Sequence, residues 1–122
     1  MRVLVCDDNQ DAADALSVLL RSHGHEVKTA YQGEPCLQVA LEWRPQIAFL
    51  DIGLPDVSGF GVARKLRAEL GTEILLVAIT GYVSPEDKQL ADEAGFDLHM
   101  SKPADFNQAV ALVQERMSQA TR

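Results

Sequence analysis

Gln46-Ile47-Ala48-Phe49-Leu50-Asp51 is the stretch from which the fold of this 122-residue chain can be read. Consecutive apolar residues, with no polar side chain alternating among them, stop abruptly at a carboxylate. A strand with one face in water would alternate, so an uninterrupted run predicts a strand covered on both faces, as in a parallel sheet. Leu75-Leu76-Val77-Ala78-Ile79, leading into Thr80, has the same character. These two runs are expected at the centre of the sheet.

Outward from them, short apolar, β-branched runs alternate with amphipathic stretches along the whole chain, the mark of repeated βα units. Strands are predicted at Arg2 to Cys6, Glu26 to Ala30, Gln46 to Asp51, Ile74 to Thr80 and Leu98 to Ser101. Helices are predicted at Gln10 to His23, Gly33 to Trp43, Ser58 to Leu70, Pro85 to Ala94 and Phe106 to Ser118. In the first helix Ala12, Leu16, Leu19 and Leu20 form a stripe expected to face the sheet. Ser84-Pro85-Glu86-Asp87 reads as an N-cap, a proline at the first helical position and acids at the positive end of the dipole. Gly24, Gly71 and Gly95 sit where helices should end. The expected fold class is α/β: a flavodoxin-like, doubly wound five-stranded parallel sheet of order 2-1-3-4-5 with helices on both faces. One domain spanning 1–122 is expected, with no room for an output domain.

Composition bounds the function. A hydrophobic share of 47% supports a packed core. The net charge of −7, from 18 acidic and 11 basic residues, disfavours contact with nucleic acid or anionic lipid. Two cysteines, Cys6 and Cys36, read as small buried hydrophobes in a reducing cytosol. No apolar run approaches the ~20 residues of a membrane span, so no direct membrane contact and a cytoplasmic location are expected.

In an open doubly wound sheet, ligands bind beyond the carboxyl ends of the strands. There the first strand runs into Asp7-Asp8, the third ends in Asp51, the fourth in Thr80, and Lys102 follows the fifth. With strands one and three adjacent at ~4.8 Å, the three carboxylates would share one pocket. Such a cluster repels itself unless a cation compensates, and an oxygen-only ligand set suits Mg²⁺. Thr80 could add a hydroxyl and Lys102 a cation. That is what phosphoryl transfer to a carboxylate needs, with Asp51, on a central strand, as the nucleophile. Taken singly, each residue has a plainer explanation: Asp8, or equally Asn9, as the N-cap of the first helix, Asp51 as the polar end of a strand, Thr80 as a β-branched strand residue, Lys102 as a surface charge.

Val3-Leu4-Val5-Cys6-Asp7-Asp8-Asn9, Asp51-Ile52-Gly53-Leu54-Pro55 with Ser58-Gly59, Ala78-Ile79-Thr80-Gly81 and Ser101-Lys102-Pro103 together resemble the receiver domains of bacterial response regulators in two-component signalling. The resemblance covers nearly the whole chain. It implies a phosphorylation-controlled switch rather than an enzyme acting on an external substrate. Asp51 would be the phosphoacceptor, loaded from a phosphohistidine on a sensor histidine kinase or histidine phosphotransfer protein. Mg²⁺ (or Mn²⁺) would be held by Asp8, Asp51 and the Gly53 carbonyl, with Asp7 acting through water. Lys102 and Thr80 would bind the phosphoryl oxygens, and Pro103 would set the loop geometry through a cis peptide. Gly53 and Tyr82 would tune the lifetime of the acyl phosphate. His99 stands where the family commonly has an inward-turning Tyr or Phe; it could rotate, or simply stay exposed. The face of the fourth helix, fifth strand and fifth helix would change partners and is the expected surface for a homodimer. Glu93-Ala94-Gly95-Phe96-Asp97 with His99 also resembles receivers of hybrid kinases, so an excised domain and a single-domain regulator both stay open.

Three other readings remain. A phosphohydrolase of the haloacid dehalogenase type would want a second Asp where Gly53 stands. A flavodoxin-like cofactor binder would not put Asp7-Asp8 against a phosphate. A degenerate receiver would fold without being phosphorylated.

Overall fold

A computed structural model describes residues 1–81, 84–102 and 105–120. The elements follow one another as β1 (Arg2–Cys6), α1 (Gln10–Ser22), β2 (Glu26–Ala30), α2 (Gly33–Trp43), β3 (Ile47–Asp51), α3 (Gly59–Leu70), β4 (Leu75–Thr80), α4 (Pro85–Ala94), β5 (Leu98–Ser101) and α5 (Phe106–Ala120). All neighbouring strands pair parallel, in the order β2-β1-β3-β4-β5. The expected architecture and strand order are therefore found.

The apolar runs lack alternation because both faces of each strand are covered. Leu4, Cys6, Ala48, Leu50, Leu76 and Ala78 point into a core shared with α2, α3 and α4. Their neighbours Val3, Val5, Ile47, Phe49, Val77 and Ile79 point into a second core under α1 and α5. Successive side chains of a strand alternate between faces, so every strand residue must be apolar when both faces are filled. Every residue of β3 is buried, Asp51 included.

Boundaries shift by a residue or two from the sequence reading, and one helix face is corrected. Ala13, Leu16, Ser17 and Leu20 line the buried side of α1, whereas Ala12 is exposed and Leu19 only half-buried. A polar residue masked that stripe: Ser17 is buried because its hydroxyl donates to the Ala13 carbonyl at 2.7 Å, one turn back. The α4 start is as expected, with the Ser84 oxygen accepting the Asp87 amide at 3.1 Å. Gly24, Gly71 and Gly95 do take positive φ. α2 ends without a glycine: Arg44 adopts φ 52°, and its carbonyl accepts the Arg2 guanidinium at 2.8 and 3.2 Å.

Candidate functional site

The register sets the site. Cys6 of β1 lies beside Leu50 of β3, so the next residues along, Asp7 and Asp51, leave the two strands side by side. Ligand oxygens of Asp7, Asp8 and Asp51 lie within 4.8 Å of one another. Asp7 and Asp51 are buried and Asp8 is exposed. Of the two N-cap candidates it is Asn9 that caps α1, its Oδ1 accepting the Ala12 amide at 3.2 Å. Asp8 is left to face the pocket. Asp7 turns the chain into the helix, its Oδ1 accepting the Asn9 amide at 3.0 Å.

Both oxygens of Asp51 have donors. Oδ1 accepts the Gly53 amide at 3.0 Å and Oδ2 the Lys102 ammonium at 2.8 Å. The same ammonium lies 3.9 Å from Asp7 Oδ1. Lys102 reaches this position because its amide donates to the Thr80 carbonyl at 2.9 Å, carrying the β4·β5 pairing past the end of β5. Asp8, Asp51, Gly53, Thr80 and Lys102, with Ile52 and Gly81, line one cleft of about 550 Å³.

Charge is distributed unequally among the carboxyls. Burial pushes the Asp7 carboxyl up to about 6, and the neighbouring Asp51 charge adds to this against the opposing Asn9 amide and Lys102 ammonium. Burial also raises Asp51, but the hydrogen bonds from Lys102 and Gly53 and one shared with Asp8 outweigh it, so Asp51 is held below the ordinary carboxylate range. For Lys102, burial is outweighed by Asp51 and the other acids, and its ammonium is stabilised. Of Asp7 and Asp51, the carboxyl whose ionised form is favoured is the one on the central strand.

Gly59 has a role that the sequence reading did not assign. A Cβ there would lie 2.6 Å from the Asp51 carbonyl oxygen and 2.7 Å from the Ile52 Cα. Only glycine lets the first turn of α3 press on the end of β3, and its amide donates to the Ile52 carbonyl at 3.0 Å. Two glycines in the first turn of a predicted helix, Gly59 and Gly61, were the available signal.

His99 is not brought to the carboxylates. It pairs in register with Ala78, two residues before Thr80, and its ring is partly covered, with Nε2 3.4 Å from Asp92 Oδ1 on α4. α4 packs near enough to shield part of the ring. Tyr82 and Pro103 lie outside the described residues.

Residues 3–114 match the family model of the response regulator receiver domain. The chain belongs to that family. This receiver is 34% identical over 116 residues to the DNA-binding response regulator MtrA of Mycolicibacterium smegmatis, a match covering 95% of this chain and 50% of that protein. The chain thus spans about half the length of the curated MtrA relatives it matches. Among solved structures it is similar to a CheY-like receiver domain protein of Methanospirillum hungatei, at 26% identity and TM-score 0.89 over 97% of this chain and 94% of the other. It is also similar to the BeF3-activated DrrB receiver domain, at 27% identity and TM-score 0.86 over 96% and 97%. As a receiver it is a signalling module of two-component systems. None of its described helices is long and apolar enough to cross a membrane.

Proposed function

We propose that this receiver is a phosphorylation-controlled switch, that Asp51 is its phosphoacceptor, and that residues 1–122 work as one unit. The observation that carries the reading is the convergence of Asp7, Asp8 and Asp51 oxygens to within 4.8 Å of one another, with the Lys102 ammonium 2.8 Å from Asp51.

Asp51 is suited to be the nucleophile because its neighbours hold it ionised. In the transfer, one Asp51 oxygen forms a bond to phosphorus as the phosphohistidine N–P bond breaks. The imidazole of the donor, a sensor histidine kinase or histidine phosphotransfer protein, leaves with the electron pair and takes up a proton. Hydrolysis reverses the loading: water attacks phosphorus, and Asp51 returns as a carboxylate with inorganic phosphate released. The domain so assists its own loading and unloading rather than turning over an external substrate.

The donor set is all oxygen, which suits Mg²⁺ or Mn²⁺, and Asp8, Asp51 and the Gly53 carbonyl would hold the ion with Asp7 further out. A bound divalent cation would neutralise phosphoryl charge. Lys102 would pair with phosphoryl oxygens, exchanging one anionic partner for another. The Thr80 hydroxyl would donate to them when the segment after β4 closes. Phosphorylation adds roughly −1.5 to −2 charges and three strong acceptors, enough to bias a two-state loop. The face of α4, β5 and α5, which carries His99, would then exchange partners, a second copy of the chain among them. Gly53 and Tyr82, close in sequence to Asp51 and Thr80, would tune the lifetime. A cytoplasmic setting follows from the partners proposed.

The test is labelling with acetyl phosphate and Mg²⁺. The wild type should incorporate one phosphoryl group and Asp51→Asn none; full labelling of Asp51→Asn removes Asp51 from this role. Beryllofluoride, the ligand named for the DrrB receiver, separates a working receiver from a degenerate one: with Mg²⁺ it should shift the Gly53 and Thr80 amide resonances.

A further inference from the structure

The loop between β3 and α3 carries a second carboxylate, Asp56, that does not line the cleft. Both its oxygens are taken. Oδ1 accepts the Gly33 amide at 2.6 Å and Oδ2 the Glu34 amide at 2.9 Å. These are first-turn donors of α2, a helix whose own N-cap residue, Gln32, makes no side-chain cap. A carboxylate spanning two N–H groups at the positive end of a helix satisfies otherwise orphaned donors and meets a favourable dipole. The Glu34 and Gly33 amides accordingly hold Asp56 below the usual carboxylate range.

Steric fit is as close as the hydrogen bonding. A Cβ on Gly33 would lie 2.8 Å from the Val57 carbonyl oxygen and 2.9 Å from the Val57 Cβ. Loop and helix therefore meet main chain to main chain. The same turn of α2 also reaches β1, since the Gln32 carbonyl accepts the Cys36 amide at 3.2 Å and the Cys6 thiol at 3.5 Å. Cys6 directly precedes Asp7-Asp8. At its other end the loop is tied by Gly59, pressed against Asp51 and Ile52. A closed ring of contacts thus runs from β1 through α2 and Asp56 to the end of β3, which pairs with β1.

We propose that Asp56 is a positioning residue for the chemistry at Asp51. By clamping the β3–α3 loop onto α2, it sets where the Gly53 main chain stands relative to Asp8 and Asp51. The proposal rests on the phosphoacceptor reading above. Asp56 itself touches none of the reacting groups.

The experiment follows Asp51 labelling by acetyl phosphate across a Mg²⁺ series in the full chain, with thermal midpoints and amide spectra, for wild type, Asp56→Ala, Asp56→Asn and Gly33→Ala. Asp56→Ala should raise the Mg²⁺ concentration for half-maximal labelling about tenfold, at the modest end of what groups behind a metal site do. The saturating rate should stay near wild type, and the Gly53 amide resonance should move. Asp56→Asn, which keeps one acceptor oxygen, should fall between. Gly33→Ala pushes the loop away from the α2 side with the Asp56 charge intact, and should show the same Mg²⁺ requirement as Asp56→Ala. A mere loss of negative charge would leave Gly33→Ala like wild type and would vanish at high salt; that pattern overturns the proposal. So does a lowered thermal midpoint with an unchanged Mg²⁺ requirement, which makes Asp56 only a helix cap. If Asp56→Ala does not fold, Gly33→Ala and Asp56→Asn decide. An unlabelled wild type sinks the phosphoacceptor reading instead, and the clamp is then judged by the Gly53 resonance alone.

Discussion

The two rims of the sheet treat charge in opposite ways. At the rim where the strands begin, Arg67 of α3 donates to the carbonyls of Gly71, Ile74 and Gly95 and pairs with Asp97 at 2.8 Å. Asp97 in turn accepts the Leu76 amide at 2.9 Å. Arg2 covers the Arg44 carbonyl in the same manner. These three side chains bond main-chain groups that the ends of helices and strands leave unpaired. At the rim where the strands end, Asp7, Asp8, Asp51 and Lys102 are spent mostly on one another, and acids outnumber the base. The first arrangement is satisfied as it stands. The second carries more negative than positive charge, the imbalance on which the proposed cation site rests.

Removing one cation from each rim should separate the two. Arg67→Ala strands three carbonyls and a carboxylate, and unfolding in urea should show a loss of about 3 kcal/mol. That loss should be the same with or without Mg²⁺, and Asp51 labelling should persist. Lys102→Ala should cost less, about 1.5 kcal/mol, because the side chain is a third exposed and solvent screens the pair. Here added Mg²⁺ should restore much of the stability by binding the folded state. If Mg²⁺ rescued both variants or neither, the contrast between the rims would be wrong.

Asp7 sharpens the comparison through pH. Its folded value of about 6 lies above the roughly 3.9 of an unfolded chain. Between those values the folded state holds more protons than the unfolded one, so this group's contribution to stability falls as pH rises through the window. Asp51, held low, contributes in the other sense: its stabilisation is present above about 4 and is lost as pH drops further. Asp7→Asn should therefore stabilise the metal-free protein at pH 7 by on the order of 1 kcal/mol. It should also flatten the decline between pH 4 and pH 6, as read from urea midpoints at each pH. The smallest effect belongs to the other rim again: Arg2→Ala, which loses only solvent-exposed bonds to a single carbonyl, should cost about 0.5 kcal/mol in the same assay.

How much of this was legible in the sequence depended on how local the signal was. The strands announced themselves because two-sided burial leaves no polar residue in Ile47–Leu50 or Leu75–Ile79. Each acid and Lys102 could be placed at a strand end by position alone. The α1 face was misplaced by one residue because a buried serine that bonds to its own helix reads as a solvent residue. Gly59 and Gly33 carried no visible reason, since their cause is another segment's main chain a few ångströms away. His99 could be seen to replace an aromatic residue, but not that Asp92 would stand beside it.

The sequence by itself determined the strand and helix inventory, the parallel sheet and the residues at its functional rim, because periodicity, capping and strand termination act within a few residues. Only the tertiary structure decided which carboxyl is held below its ordinary range and which is pushed above it, which of Asp8 and Asn9 caps α1, and that Asp56 ties the loop to α2. Those outcomes depend on distances between segments remote in the chain, where burial and neighbouring charge can push two chemically identical carboxyls in opposite directions.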